Sequence, residues 1–116
     1  MVTGVRLILV QVEDMDRATR FYQETLGGQV AYGSPHWTSI QLGGLTFGLH
    51  PTIHEPHAMR DVGHKVCLST DSLADARARL TEVGVYVAPI DHETPSGTIF
   101  DFEDTEGNGF QMMQPR

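Results

Sequence analysis

Apolar positions along this chain fall in short runs separated by polar and glycine-rich breaks, and one succession of runs occurs twice. Val5 to Val12 (VRLILVQV) is rich in β-branched and aliphatic residues and predicts a buried strand. Asp14 follows as a helix cap. Met15, Ala18, Tyr22 and Leu26 then share one face of a helix from about Met15 to Leu26, and Gly27-Gly28 supplies its stop. Three strands are expected next, at Gln29 to Tyr32, Trp37 to Leu42 and Leu45 to His50, with Gly43-Gly44 as the hairpin signal between the last two. Pro51 to Val62 is polar and carries Pro51, Pro56, His54 and His57, which reads as a linker.

The plan then repeats. A strand over about Lys65 to Ser69 leads to a second helix, capped by Asp71 or Ser72, whose inward face is Leu73, Ala76, Leu80 and Val83 and whose stop is Gly84. Strands are expected at Tyr86 to Ile90, Thr98 to Glu103 and Phe110 to Gln114, with turns at Pro95-Ser96-Gly97 and Glu106-Gly107-Asn108. Asp14 to Gly27 and Asp71 to Gly84 have the same separation, so both helices sit in equivalent frames. The reading is an internal repeat of two βαβββ modules, residues 4–51 and 63–116, joined by a linker at 52–62 within a single α+β domain. Each module should lay its helix on one face of a small, curved mixed sheet. The two sheets would then surround a concave pocket, a usual place for a small-molecule site.

Composition narrows the partners. The chain has 116 residues, 40% apolar and 20% charged, which is ordinary for one globular domain. Its formal net charge is −7, with Lys65 as the single lysine, and this argues against nucleic acid, whose phosphates need clustered Lys and Arg. An acidic surface keeps a protein soluble and, if anything, favours a cationic ligand. No apolar run approaches the roughly 20 residues needed to cross a bilayer as a helix. The first residues, Met1 to Arg6, do not resemble a signal peptide, and the lone Cys67 excludes an internal disulfide. A cytoplasmic location without membrane contact is therefore expected.

Two stretches resemble signatures of the vicinal oxygen chelate superfamily, which contains glyoxalases, bleomycin-resistance proteins and extradiol dioxygenases. Val12-Glu13-Asp14-Met15-Asp16-Arg17-Ala18-Thr19-Arg20-Phe21-Tyr22, continuing to Leu26-Gly27, is similar to V-x-D-L-x-x-S-x-x-F-Y-x-x-x-L-G. Phe102-Glu103-Asp104-Thr105-Glu106-Gly107-Asn108 is similar to F-x-D-P-D-G-N before the last strand, with Thr105 and Glu106 in place of the commoner Pro and Asp. The resemblance implies the two-module fold and a homodimer. It identifies a fold better than a function, because Phe21, Tyr22, Leu26 and Gly27 serve packing and capping.

Enzymes of that superfamily work through one divalent cation held by His and Glu side chains, which stabilises developing negative charge. The resemblance places the ligand positions at Leu7, Gly48, Gln111 and, depending on the register of the 63–69 strand, His64 or Lys65. Leu and Gly offer no side-chain donor and Gln only a weak neutral one, so the usual metal site is expected to be absent. The apolar pattern pairs Val66 and Leu68 with Ile8 and Val10 and favours Lys65, whereas the Asp and Gly landmarks favour His64. A displaced site from His50, His64 and Gln111 is the alternative, holding Zn, Ni, Mn or Fe.

The other candidates have plainer readings. Cys67 reads as a small buried hydrophobe rather than a nucleophile. Asp101, Glu103, Asp104 and Glu106 read as a solvated edge, and no phosphate-binding glycine pattern occurs.

The leading expectation is a metal-free small-molecule-binding protein, sequestering a toxic or antibiotic compound. Its ligand-binding residues would be Leu7, Leu9, Gln11, Trp37, His50, Gln111 and Met113, with Tyr32 and Gln41 as weaker candidates. The alternative is a metal-dependent lyase, isomerase or dioxygenase of the glyoxalase type. A metal-free enzyme using Lys65 or His64 for acid–base chemistry is the third reading.

Overall fold

Two stretches of chain each bury the apolar face of one sheet under one helix. The computed structural model describes residues 1, 3, 5–51 and 65–116, and the chain divides into two compact units, Met1–Pro56 and His57–Arg116. The expected linker at 52–62, with His54 and His57, and also His64, lie outside the described residues.

In the first unit β1 (Ile8–Val12) leads to α1 (Met15–Arg20), then to β2 (Gln29–Ser34), β3 (Trp37–Leu42) and β4 (Leu45–Pro51). The sheet order is β1-β4-β3-β2, with β1 parallel to β4 and the other pairs antiparallel. Asp14 caps α1 by accepting from the Arg17 amide at 3.0 Å. The helix does not run unbroken to Leu26. Phe21–Thr25 form a wider π-helical turn, closed by Leu26 N–H donating to the Phe21 carbonyl at 3.1 Å. That widening carries the consecutive Phe21 and Tyr22 into the core together, ring against ring at 5.7 Å. Tyr22 faces Phe47 at 5.9 Å, Val10, Val12, Ile40 and Leu49 are buried as well, and each such ring or aliphatic side chain contributes about 1.5–3 kcal/mol by leaving water.

The second unit repeats the order. β5 (Val66–Ser69) leads to α2 (Leu73–Val83), β6 (His92–Thr94), β7 (Gly97–Glu103) and β8 (Gly109–Pro115), arranged β5-β8-β7-β6. Of the two candidate caps it is Ser72 that accepts from the Asp75 amide, at 3.1 Å, and Gln114 on β8 accepts from the Leu73 amide at 2.8 Å. Leu73 and Leu80 of α2 are buried, as are Phe100, Phe102, Phe110 and Met112 of the sheet, and the rings of Phe102 and Phe110 stack at 5.4 Å. Arg77 lies 4.5 Å over the Phe100 ring while donating to the Ala88 carbonyl at 2.7 Å and pairing with Asp91.

Several expectations change. Val83 is exposed rather than inward-facing. Tyr86 to Ile90 forms a single antiparallel bridge rather than a full strand: Val87 pairs with Phe102, with Ala88 N–H donating to the Asp101 carbonyl at 2.8 Å and Glu103 N–H to the Tyr86 carbonyl at 3.0 Å, and the edge strand forms later, at β6. Pro89 explains the break, since it has no N–H for the ladder. The carboxylates after Phe100 are not a solvated edge, because Asp104 and Glu106 are buried. Asp104 organises the turn into β8, accepting from the amides of Glu106 and Asn108 at 2.8 Å each and from the Asn108 side chain at 2.9 Å.

Candidate functional site

Strand alternation sends side chains to opposite faces, so each sheet has a helix-covered face and a second face that its own helix leaves open. In the first unit the open face follows from the register. Leu9, Gly48, Ser39 and Tyr32 form one cross-strand row, because Leu9 pairs with Gly48, Gly48 with Ser39 and Ser39 with Tyr32. Gln11 pairs with His50 on the next row toward Pro51, and Gln41 pairs with Thr46 on the row in the other direction. Five of the expected ligand-binding residues, Leu7, Leu9, Gln11, Trp37 and His50, therefore belong to this unit.

Trp37 dominates the open face. Its indole N–H donates to the Ser39 hydroxyl at 2.8 Å, which turns the ring along the strand and over Gly48. A β-carbon added at Gly48 would stand 2.3 Å from one indole carbon and 2.5 Å from the next. Glycine is thus the residue that lets the ring lie against the backbone. The Trp37 and His50 rings meet edge-on at 6.3 Å. Leu9 is 56% exposed and Tyr32 60%, so the face offers apolar and aromatic surface to an occupant.

A cleft of about 590 Å³ opens beside this ring, lined in part by Arg6, Leu7, Trp37, Ser39 and Thr46. Ser39 shares parity with Trp37 on β3, and Thr46 shares parity with Gly48 on β4, so alternation alone could have flagged both. Arg6 carries no such signal, since it neighbours Leu7 and precedes β1. A larger cleft of about 750 Å³ lies between α1 and the β2–β3 hairpin, lined in part by Glu13, Asp14, Asp16 and Arg20. Asp14 there is already engaged as the α1 cap.

In the second unit the row matching Leu9–Gly48–Ser39 is Cys67–Gln111–Asp101. Gln111 and Met113, the remaining expected binding residues, lie on this open face and are half-buried. Val66 and Leu68 pair with the buried Phe110 and Met112, which settles the strand register: position 65 alternates with Cys67, so Lys65 is the residue equivalent to Leu7. One oxygen of Asp101 is buried and has no hydrogen-bond partner among the described residues. Cys67 is exposed rather than buried, yet partial desolvation pushes its thiol up from the ordinary value.

The profile of the Glyoxalase/Bleomycin resistance protein/Dioxygenase superfamily matches residues 4–112. The chain belongs to this superfamily. No curated protein matches it significantly. Among solved structures, TnmS3, an antibiotic binding protein from Streptomyces sp. CB03234, is 30% identical, with a TM-score of 0.72 over 99% of this chain and 98% of that one. The fosfomycin resistance protein FosX from Listeria monocytogenes, an E126Q mutant complexed with Mn(II) and 1S,2S-dihydroxypropylphosphonic acid, superposes with a TM-score of 0.81 at 19% identity. That match covers 100% of this chain and 93% of that one. FosX from Mesorhizobium loti gives 0.78 at 17% identity, over 100% and 95% of the two chains. The FosX likeness establishes the shared fold.

The superfamily's metal can be tested against these positions, and they do not fit it. Leu7 has no donor. The space that a ligand side chain at 48 would need is filled by the Trp37 ring. Lys65 brings a positive charge that opposes a divalent cation, and Gln111 offers only a weak neutral oxygen. Among the described residues no group of three or more His, Cys, Asp or Glu could hold a metal ion. No helix among them is long and apolar enough to cross a membrane.

Proposed function

We propose that this chain binds a small molecule and sequesters it unchanged, without the metal usual in its superfamily. The observation that carries the reading is the Trp37 indole packed on Gly48, an aromatic surface in the place of a metal-ligating carboxylate. Two further points support it. The adjoining cleft, about 590 Å³, falls within the range of roughly 300–1,000 Å³ that suits a small organic ligand. The 30% identical TnmS3 is an antibiotic binding protein, so an antibiotic or another toxic compound is the proposed cargo class. Leu7, Leu9, Gln11, Trp37 and His50 are the proposed contacts from the first unit, and Gln111 and Met113 those from the second. A cytoplasmic homodimer is the proposed working form. The enzyme alternative needs the displaced set His50, His64 and Gln111 to gather around Zn, Ni, Mn or Fe, and no observation favours it.

The test joins metal content with ligand recovery. Elemental analysis of untagged protein should find far less than one metal per chain, and titration with Zn²⁺, Ni²⁺, Mn²⁺ and Fe²⁺ should find no micromolar site. Compounds that bind should be recovered unaltered by mass spectrometry, with or without Mn²⁺. A stoichiometric metal, or turnover of a bound compound, would overturn the reading.

A further inference from the structure

The cleft beside Trp37 has a local chemistry opposite to that of the whole chain. None of the described residues that line it carries a carboxylate, whereas Arg6 places a guanidinium there. Among the described residues Arg6 has neither an ion pair nor a hydrogen bond, so its fork of N–H donors is uncommitted. Of the three lining hydroxyls, those of Thr3, Ser39 and Thr46, the last two are committed in one direction only. Ser39 accepts the indole N–H at 2.8 Å, and Thr46 accepts from the Gln41 side-chain amide at 2.8 Å. A hydroxyl that accepts from its neighbour keeps its own proton to donate, and among the described residues neither Ser39 nor Thr46 gives that proton to a protein acceptor. The cleft therefore presents a guanidinium and two hydroxyl donors on the flank of an indole.

Donors gathered without a carboxylate among them suit a group that accepts, and a carboxylate or other oxyanion is the strongest such acceptor. The net charge of −7 is a sum over the whole chain, whereas none of the described lining residues is acidic, and salt screens the more distant charges. The acidic composition, which by itself favours a cationic ligand, is thus overruled by the groups that line the cleft.

We propose that this cleft selects compounds carrying an anionic group beside a flat aromatic portion, with Arg6, Ser39 and Thr46 holding the anion and Trp37 the aromatic part. The inference deepens the binding reading above and rests on it. It fixes the chemical class of the ligand: an aromatic acid is preferred over its amide or its amine.

Trp37 is the single tryptophan, so the protein has one indole N–H resonance, and that resonance sits in the proposed site. The experiment titrates ¹⁵N-labelled full chain with 2-naphthoate, 2-naphthamide and 2-naphthylmethylammonium, following the indole peak. The acid should move it and bind roughly tenfold or more tightly than the amide, with the amine weakest. Arg6→Gln should weaken the acid far more than the amide and so close most of the gap between them. Thr46→Val should weaken the acid several-fold, and added salt should weaken the acid alone. Equal binding of all three probes, or a preference for the amine, would overturn the anion selectivity and leave the aromatic binding reading standing. No movement of the indole peak with any probe would overturn both.

Discussion

The rows Leu9–Gly48–Ser39 and Cys67–Gln111–Asp101 occupy the same register positions in sheets of the same strand order, yet they carry different chemistry. In the first unit the centre of the row is stripped to a glycine, and a ring from the neighbouring strand has taken the space. In the second the centre keeps a polar side chain, flanked by a thiol and by a carboxylate with one buried oxygen unpartnered among the described residues. The helix-covered faces diverge far less: both are built of aliphatic and aromatic side chains under one helix. The repeat thus constrains the buried face, where volume and packing matter, and leaves the open face free to change.

The turns that close the two sheets differ too, and the largest expected effect lies there. β3 and β4 join through Gly43-Gly44, both at positive φ (60° and 82°), with no described side chain anchoring the turn. β7 and β8 join through a segment that hangs on three hydrogen bonds to Asp104, itself only 3% exposed. Asp104→Ala strands those donors and should cost about 2–4 kcal/mol in urea denaturation. A loss below about 0.5 kcal/mol would mean that the second turn, like the first, is held by backbone alone.

The centres of the two rows should respond unequally. Gly48→Ala drives a methyl group into the Trp37 ring and should cost about 1–3 kcal/mol, as overpacking does, with a change in the indole environment. Gln111→Ala removes a half-buried side chain and should stay within about 1 kcal/mol. Trp37→Ala in the Gly48→Ala background should recover much of the loss, since the two sites are coupled by contact. If Gly48→Ala and Gln111→Ala cost the same, the ring is not held against the backbone, and the contrast between the units fails.

Much of this was legible in the sequence, for identifiable reasons. The period-2 runs and the helix caps gave the order of elements, because burial of one face enforces the pattern. The parity of Val66 and Leu68 also favoured Lys65 over His64, as the β5–β8 register now shows. Pro89 could have warned that the pairing from Tyr86 would stop at Ala88, and Asp104 with Asn108 that the following turn would be anchored rather than solvated. What the sequence does not show is approach across strands. The indole reaches Gly48 by lying diagonally from Trp37, with a hydrogen bond to Ser39 fixing its direction. Arg6 joins the cleft from outside the ladder, where alternation gives no guide.

Smaller effects of opposite sign are expected at the outer positions of the rows. Ser39→Ala leaves the indole N–H without its acceptor and should cost about 0.5–1.5 kcal/mol. Asp101→Asn removes charge from a group with a buried, unsatisfied oxygen and should be neutral or raise stability by up to about 1 kcal/mol. Urea midpoints at one pH measure both. A loss at Asp101 comparable to that at Ser39 would mean that its carboxylate is held by favourable contacts after all, and the two rows would be less different than their polar partners indicate.

The last contrast is between Leu9 and Cys67 and concerns rate more than stability. Cys67 is exposed, so a reagent can reach it, but partial desolvation raises its thiol from the ordinary value and favours the protonated form. The thiolate is the species that reacts, so iodoacetamide at about pH 8 should alkylate the folded protein several-fold more slowly than the urea-unfolded chain. The sign of the linkage follows. Between the unfolded and the folded pKa the unfolded chain has already lost its proton and the folded one has not, so stability falls as pH rises through that window. The alkylation profile of the folded protein should accordingly have its inflection at higher pH than that of the unfolded chain. Coincident profiles would show that the open face around Cys67 is as well hydrated as a free peptide. Gln111 and Asp101 would then flank an ordinary surface thiol, and the second unit would lack the partly dry wall that its row implies.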